Sequence, residues 1–232
     1  MDALHLIPAH GCPDYARQRP RLAVPPPGEP EGALELDGTF GFHPALAPAW
    51  DLYRDGQLAV VQACGTPDQT LSHFEAGRTL ERGVSDGRTT ATGWLSRHLL
   101  TAPTGQVSPL RAVAFAQGRP AVLAGAPGTT VLRSLAKIRL DAPPQWGPGF
   151  VSALSGLYGE GTDAAVRAGQ HTLRLVRDLG RLGGSAYTPS GGAAYPRGKL
   201  GGDLKQVAQL LKAEIGLEAA VIEHDGWDSH VN

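Results

Sequence analysis

An α/β fold is the architecture this sequence predicts, on three observations. Short apolar runs alternate with amphipathic helical segments along most of the chain. Residues 58–64 (LAVVQAC) form a compact apolar run between turn residues. A polar loop and a helical stretch at 72–83 follow it, the order of half a βαβ unit. Residues 203–215 (DLKQVAQLLKAEI) then give an amphipathic helix stopped by Gly216, and a second apolar run at 217–222 comes directly after it.

Taken in order, residues 13–19 predict a turn of helix and 22–24 a short extended piece. PPPGEPEG at 25–32 is an exposed loop, and 34–42 is too broken for a long element. Residues 43–54 fit a helix with Leu46, Trp50 and Tyr53 on one side, Pro48 interrupting its early part and Gly56 ending it. The run 58–64 predicts a buried strand, and the helix at 72–83 offers Phe74, Ala76 and Leu80 for packing. A short helix is expected at 94–100, strands at 110–115, 121–123 and 130–132, and a helix at 150–158 after the loop PPQWGPG. The longest periodic segment is 163–182, striped by Val166, Leu173, Val176 and Leu179 and capped by Thr162. Residues 183–202 (GGSAYTPSGGAAYPRGKLGG) read as a flexible loop, long enough to border an active site.

Composition bounds the function classes. With 232 residues, 41% hydrophobic and 19% charged, the chain can bury one sizeable core or two small ones. A net charge of -1 and the absence of any basic run give no case for nucleic acid. No apolar run approaches the roughly 20 residues a membrane helix needs. Two cysteines, Cys12 and Cys64, exclude a disulfide scaffold but leave their own pairing open. The N-terminus shows no signal peptide.

Two stretches carry chemistry. The closing VIEHDGWDSHVN brings His224, Asp225, Asp228, Ser229 and His230 together behind an apolar run. In extended chain Asp228 and His230 share a face, and a carboxylate beside an imidazole makes half of a metal site. The competing reading is a polar surface loop, with Trp227 a packing residue. The second stretch is the loop after residue 64, where Thr70 or Ser72 would stand at a helix N-terminus. That placement suits a hydroxyl nucleophile attacking phosphate or sulfate, particularly beside a metal. Ser72 and Glu75 also have the capping-box spacing, which is by itself sufficient reason for the serine. His73 adjoins Ser72 and is carried with it. His5, His10, His43, His98 and His171 are scattered without metal spacing and read as surface or ordinary satisfied groups, His171 as solvated.

The stretch LDGTFGFHPALAPAWDLYRDGQLAVVQACGTPDQTLSHFEA, with PDYARQRPRLAVPPPG, the opening MDALHLIP and YPRGKLGGDLKQVAQLLKAEIGLEAAVIEHDGWDSHVN, resembles the domain-of-unknown-function 1501 family. That family is similar to the alkaline phosphatase and sulfatase superfamily. The resemblance runs through most of the chain and implies an alkaline-phosphatase-like three-layer sandwich with a mostly parallel central sheet, incomplete here. MDAL resembles the tail of the family's G-G-x-D-G-L, so Asp2 matches its metal-binding carboxylate at the end of the first strand. Asp228 and His230 match its W-D-T-H, with Ser229 in place of threonine, and Ser72 and His73 match its S-H-F. The first core strand, the twin-arginine export signal that members often carry, the S-E-F-G-R-T segment and the D-H-G-H-G motif have no counterpart here. The chain therefore reads as an internal fragment of one such domain, cut at both ends.

The resemblance implies a metal-dependent hydrolase of phosphate or sulfate esters, of exported type. Its catalytic residues would be Ser72 and His73, and its ligands Asp2, Asp228 and His230 would hold a divalent metal, zinc or else calcium, magnesium or manganese. The chain alone is expected to be inactive or nearly so, because a catalytic metal needs about three well-oriented protein ligands. The alternative is a non-catalytic binding or structural protein that keeps the fold.

Overall fold

A computed structural model describes residues 3–67, 69–84, 90–101, 108–126, 128–138, 146–147, 149–182 and 187–226. The chain divides into two compact units, Met1–Cys64 with Gly226–Asn232, and Gly65–Asp225.

The first unit is built from short pieces, as its proline and glycine content dictates. Helices α1 (Ala3–Leu6) and α2 (Pro13–Gln18) precede a two-residue antiparallel ladder of β1 (Leu34–Glu35) with β2 (Gly41–Phe42). Asp37 closes the ladder's turn, its Oδ1 accepting from the backbone N–H groups of Phe40 at 2.7 Å and Thr39 at 3.0 Å. Those bonds, Phe40 first, hold its carboxyl below the ordinary value. The Tyr15 hydroxyl donates to the Leu4 carbonyl at 3.1 Å and accepts from Val24 N–H at 3.2 Å, so 22–24 is pinned without forming a strand. A 3₁₀ turn, Pro44–Leu46, then leads into α3 (Ala47–Arg54), where Pro48 sits in the first turn, the place a helix tolerates it. Buried Phe42 meets Tyr53 edge-on at 5.7 Å.

The expected strand at 58–64 does not form. Leu58 is 36% and Val61 73% exposed, and Ala63 takes a positive φ of 52°. A short apolar run becomes a strand only where another strand accepts its hydrogen bonds, and no described residue ladders with this one. Cys12 and Cys64 are exposed free thiols.

The second unit contains α4 (His73–Arg82), α5 (Trp94–Thr101), β3 (Ala112–Phe115), β4 (Thr129–Leu132), α6 (Gly149–Leu157), α7 (Ala164–Leu182), α8 (Lys199–Lys212) and β5 (Ala219–Ile222). The three strands form a parallel sheet in the order β4-β3-β5, with Phe115 level with Leu132 on one side and Ile222 on the other. The α/β class is thus observed. All four β3 residues are buried, as the central strand of a parallel sheet covered on both faces requires. Ala112, Ala114 and Ala116 pack with Leu99 of α5 and with Val122 and Leu123. Val113 and Phe115 point the other way, into a cluster with Leu179 of α7 and Leu210 of α8.

Three further expectations shift. Residues 121–123 are a 3₁₀ turn, not a strand: after Pro120 the chain curls, Leu123 N–H bonding the Pro120 carbonyl at 3.0 Å while Val122 and Leu123 stay buried. The cap of α7 is Asp163, whose Oδ1 accepts Val166 N–H at 2.8 Å, rather than Thr162. Within 183–202, residues 187–198 have no regular structure, but 199–202 already belong to α8. A Cβ on Gly201 would lie 1.9 Å from the Pro196 carbonyl oxygen, so the glycine marks a close backbone approach inside the helix's first turn and not a loop. Among the described residues no helix is long and apolar enough to cross a membrane.

Candidate functional site

In open parallel sheets ligands bind beyond the carboxyl ends of the strands. Here that edge is defined by Phe115, Leu132 and Ile222, and the chain leaves β5 through Glu223, His224 and Asp225, all exposed. Lys199, at the start of α8, ties the edge together. Its Nζ donates to the carbonyls of Phe115 at 3.3 Å and Glu223 at 3.0 Å, and to Asp203 Oδ2 at 2.8 Å. Asp203 is 5% exposed, and its other oxygen lies 3.4 Å from Gln206 Nε2. Gln206 Oε1 in turn accepts Leu135 N–H at 2.7 Å, so the ion pair and the glutamine beside it form one network along a single face of the helix.

A group of carboxylates accompanies this lysine. Glu81, near the end of α4, accepts Val122 N–H at 3.2 Å. Burial, then the charges of Glu81 and Asp225, push the Glu223 carboxyl above its ordinary value, and Lys199 opposes them. The negative charges of Glu81 and Asp225 thus favour a proton on Glu223 at this edge.

Ser72 and His73 occupy the far end of α4. Ser72 is the N-cap, its Oγ accepting Glu75 N–H at 3.4 Å, and Thr70 completes the arrangement by accepting Ser72 N–H at 3.1 Å and donating to Glu75 Oε2 at 3.0 Å. The capping reading of Ser72 is therefore observed directly. The His73 ring lies 4.2 Å from that of Phe74, which is 70% exposed. From Ser72 to Glu81 is nine residues of helix, about 14 Å at 1.5 Å each, so the serine and the carboxylates are not one constellation. Asp2, Asp228 and His230 lie outside the described residues. Among the described residues no group of three or more His, Cys, Asp or Glu side chains is arranged to hold a metal.

Sequence reading missed Lys199 and Asp203, although their i,i+4 spacing was a usable signal. Glu81 and Glu223 are far apart in sequence, and nothing in either segment announces their meeting. His171, expected to be solvated, is half-buried on α7; burial first, then Arg174, hold its imidazole below the ordinary value. Compared with known protein families, curated proteins and solved structures, the chain matches none of them.

Proposed function

We propose that this chain is part of an alkaline-phosphatase-like, metal-dependent hydrolase of phosphate or sulfate esters. The observation that supports this reading most is the parallel sheet whose strand β5 runs, a few residues on in the sequence, into the segment that carries Asp228 and His230. Asp228 and His230, joined by Asp2 as the resemblance implies, would hold the metal. A bound divalent ion would polarise the ester oxygen and favour an ionised hydroxyl nearby. Ser72 would be the nucleophile. Accepting one N–H leaves its own proton and a lone pair available, and the N-terminus of α4 favours negative charge on its oxygen. His73 would stand beside it to take or give a proton.

A second reading has its own support: Ser72 is fully accounted for as a helix cap and lies a helix length from Glu81. Under it the chain is a non-catalytic binding or structural protein.

Metal binding tests the first reading without requiring turnover. Calorimetric titration of the purified chain with zinc is expected to saturate, with affinity lowered about tenfold or more by Asp228→Ala and by His230→Ala. No saturable binding, or binding unchanged in both variants, sinks it. Where hydrolysis of an aryl phosphate or sulfate is measurable, loss in Ser72→Ala and also in Ser72→Asp assigns the nucleophile. Retention in Ser72→Asp, which still caps, leaves Ser72 as a cap alone.

A further inference from the structure

In the unit that includes residues 3–64, a cavity of about 380 Å³ is lined by His5, Arg21, Glu31 and His43 over an apolar floor that includes Val24 and Pro44. The two imidazole rings lie 4.9 Å apart between centroids, tilted by 46°. Their backbone partners fix both tautomers. His5 Nδ1 is 3.2 Å from the Leu22 carbonyl oxygen, which can only accept, so Nδ1 carries a proton, and in the neutral ring Nε2 is a bare lone pair. Ala45 N–H donates to His43 Nδ1 at 3.1 Å, so that nitrogen is bare and Nε2 carries the proton.

This asymmetry decides what the pair can bind. A metal held by both rings needs two bare nitrogens, and His43 can offer a second only by giving up its bond to Ala45. What remains is one acceptor at His5 and one donor at His43. Arg21, which has no carboxylate partner among the described residues, adds a guanidinium fork shaped for a planar or tetrahedral oxyanion. Glu31 adds a second acceptor, repelling a bare anion but welcoming a hydroxyl. The volume exceeds that of a phosphate ion and lies at the lower end of the range for small-molecule sites.

We propose that this pocket binds a small hydroxylated phosphate ester, of the polyol- or sugar-phosphate class. Arg21 and His43 Nε2–H donate to the phosphate oxygens, the ligand's hydroxyls donate to His5 Nε2 and Glu31, and its carbon chain lies on Val24 and Pro44. The site does not rest on the proposed hydrolase activity.

The test is calorimetric titration of the whole chain in metal-free buffer with EDTA, so that no metal-dependent hydrolysis consumes the probe. Glycerol 3-phosphate is expected to bind saturably, and ethyl phosphate, which has the anion but no hydroxyl, about tenfold or more weakly. Arg21→Ala is expected to weaken glycerol 3-phosphate about tenfold or more, with Arg21→Lys between it and the wild type because the charge survives and the fork does not. His5→Phe is expected to narrow the difference between the two probes, and His5→Phe combined with Glu31→Ala to erase it. Absence of saturable binding overturns the proposal. So does equal affinity for the two probes, or wild-type affinity in Arg21→Ala with an unchanged circular dichroism spectrum.

Discussion

Ser72 and Glu223 show how much a single side chain carries here. Ser72 Oγ satisfies one of the N–H groups that open α4, and losing such a cap costs about 1 kcal/mol. Ser72→Ala is therefore expected to lower urea-unfolding stability by about that amount, and Ser72→Asp to stay within a few tenths of a kcal/mol of the wild type. Glu223 sets a pH dependence. Its carboxyl is raised from 4.5 by burial, Glu81 and Asp225, so just above that value the native chain binds more protons than the unfolded one. Stability attributable to Glu223 is then present at low pH and falls as pH rises through the window between 4.5 and its raised value. Glu223→Gln is expected to flatten this slope and to leave neutral-pH stability equal or higher, as melting temperatures from pH 4 to 8 would show. The cap was legible in sequence because its partner lies three residues on. The carboxylate group was not, because its members come from α4 and from beyond β5.

Among the elements, legibility followed how local the deciding interaction is. Helix α7 declared itself through periodicity, and β3, β4 and β5 through short runs that the sheet then paired, β3 becoming fully buried. The run 58–64 carried the same signal and stayed open, because strand formation depends on a partner that composition does not specify. The start of α8 failed in the opposite direction. Its glycines have poor helix propensity, yet the approach of Pro196 to Gly201 makes a small residue the one that fits. In an open helix Gly→Ala gains about 1 kcal/mol. Gly201→Ala is expected to destabilise instead, since the added methyl would meet backbone oxygen, and a lowered urea midpoint would register it.

At the scale of the whole molecule, the parallel sheet and the apolar clusters on both its faces belong to Gly65–Asp225. That unit holds its own core, so residues 65–225 expressed alone are expected to unfold in one cooperative transition with the circular dichroism of a mixed α/β fold. A gradual, non-cooperative melt would show that the sheet needs the rest of the chain. Sequence reading reached the α/β class because alternation of helix and strand survives the misplacement of single elements; it did not reach the division of the chain, which depends on contacts between distant segments. Within the sheet, Lys199 has a consequence of another kind. An ammonium group has three N–H bonds, and here there are three acceptors, the carbonyls of Phe115 and Glu223 and the carboxylate of Asp203. A lysine must free a lone pair before it can attack an acylating reagent, and this one must first release a strand end. Slow acylation of Lys199 beside rapid labelling of Lys205 and Lys212 would make it a chemical clock for the opening of the sheet's edge.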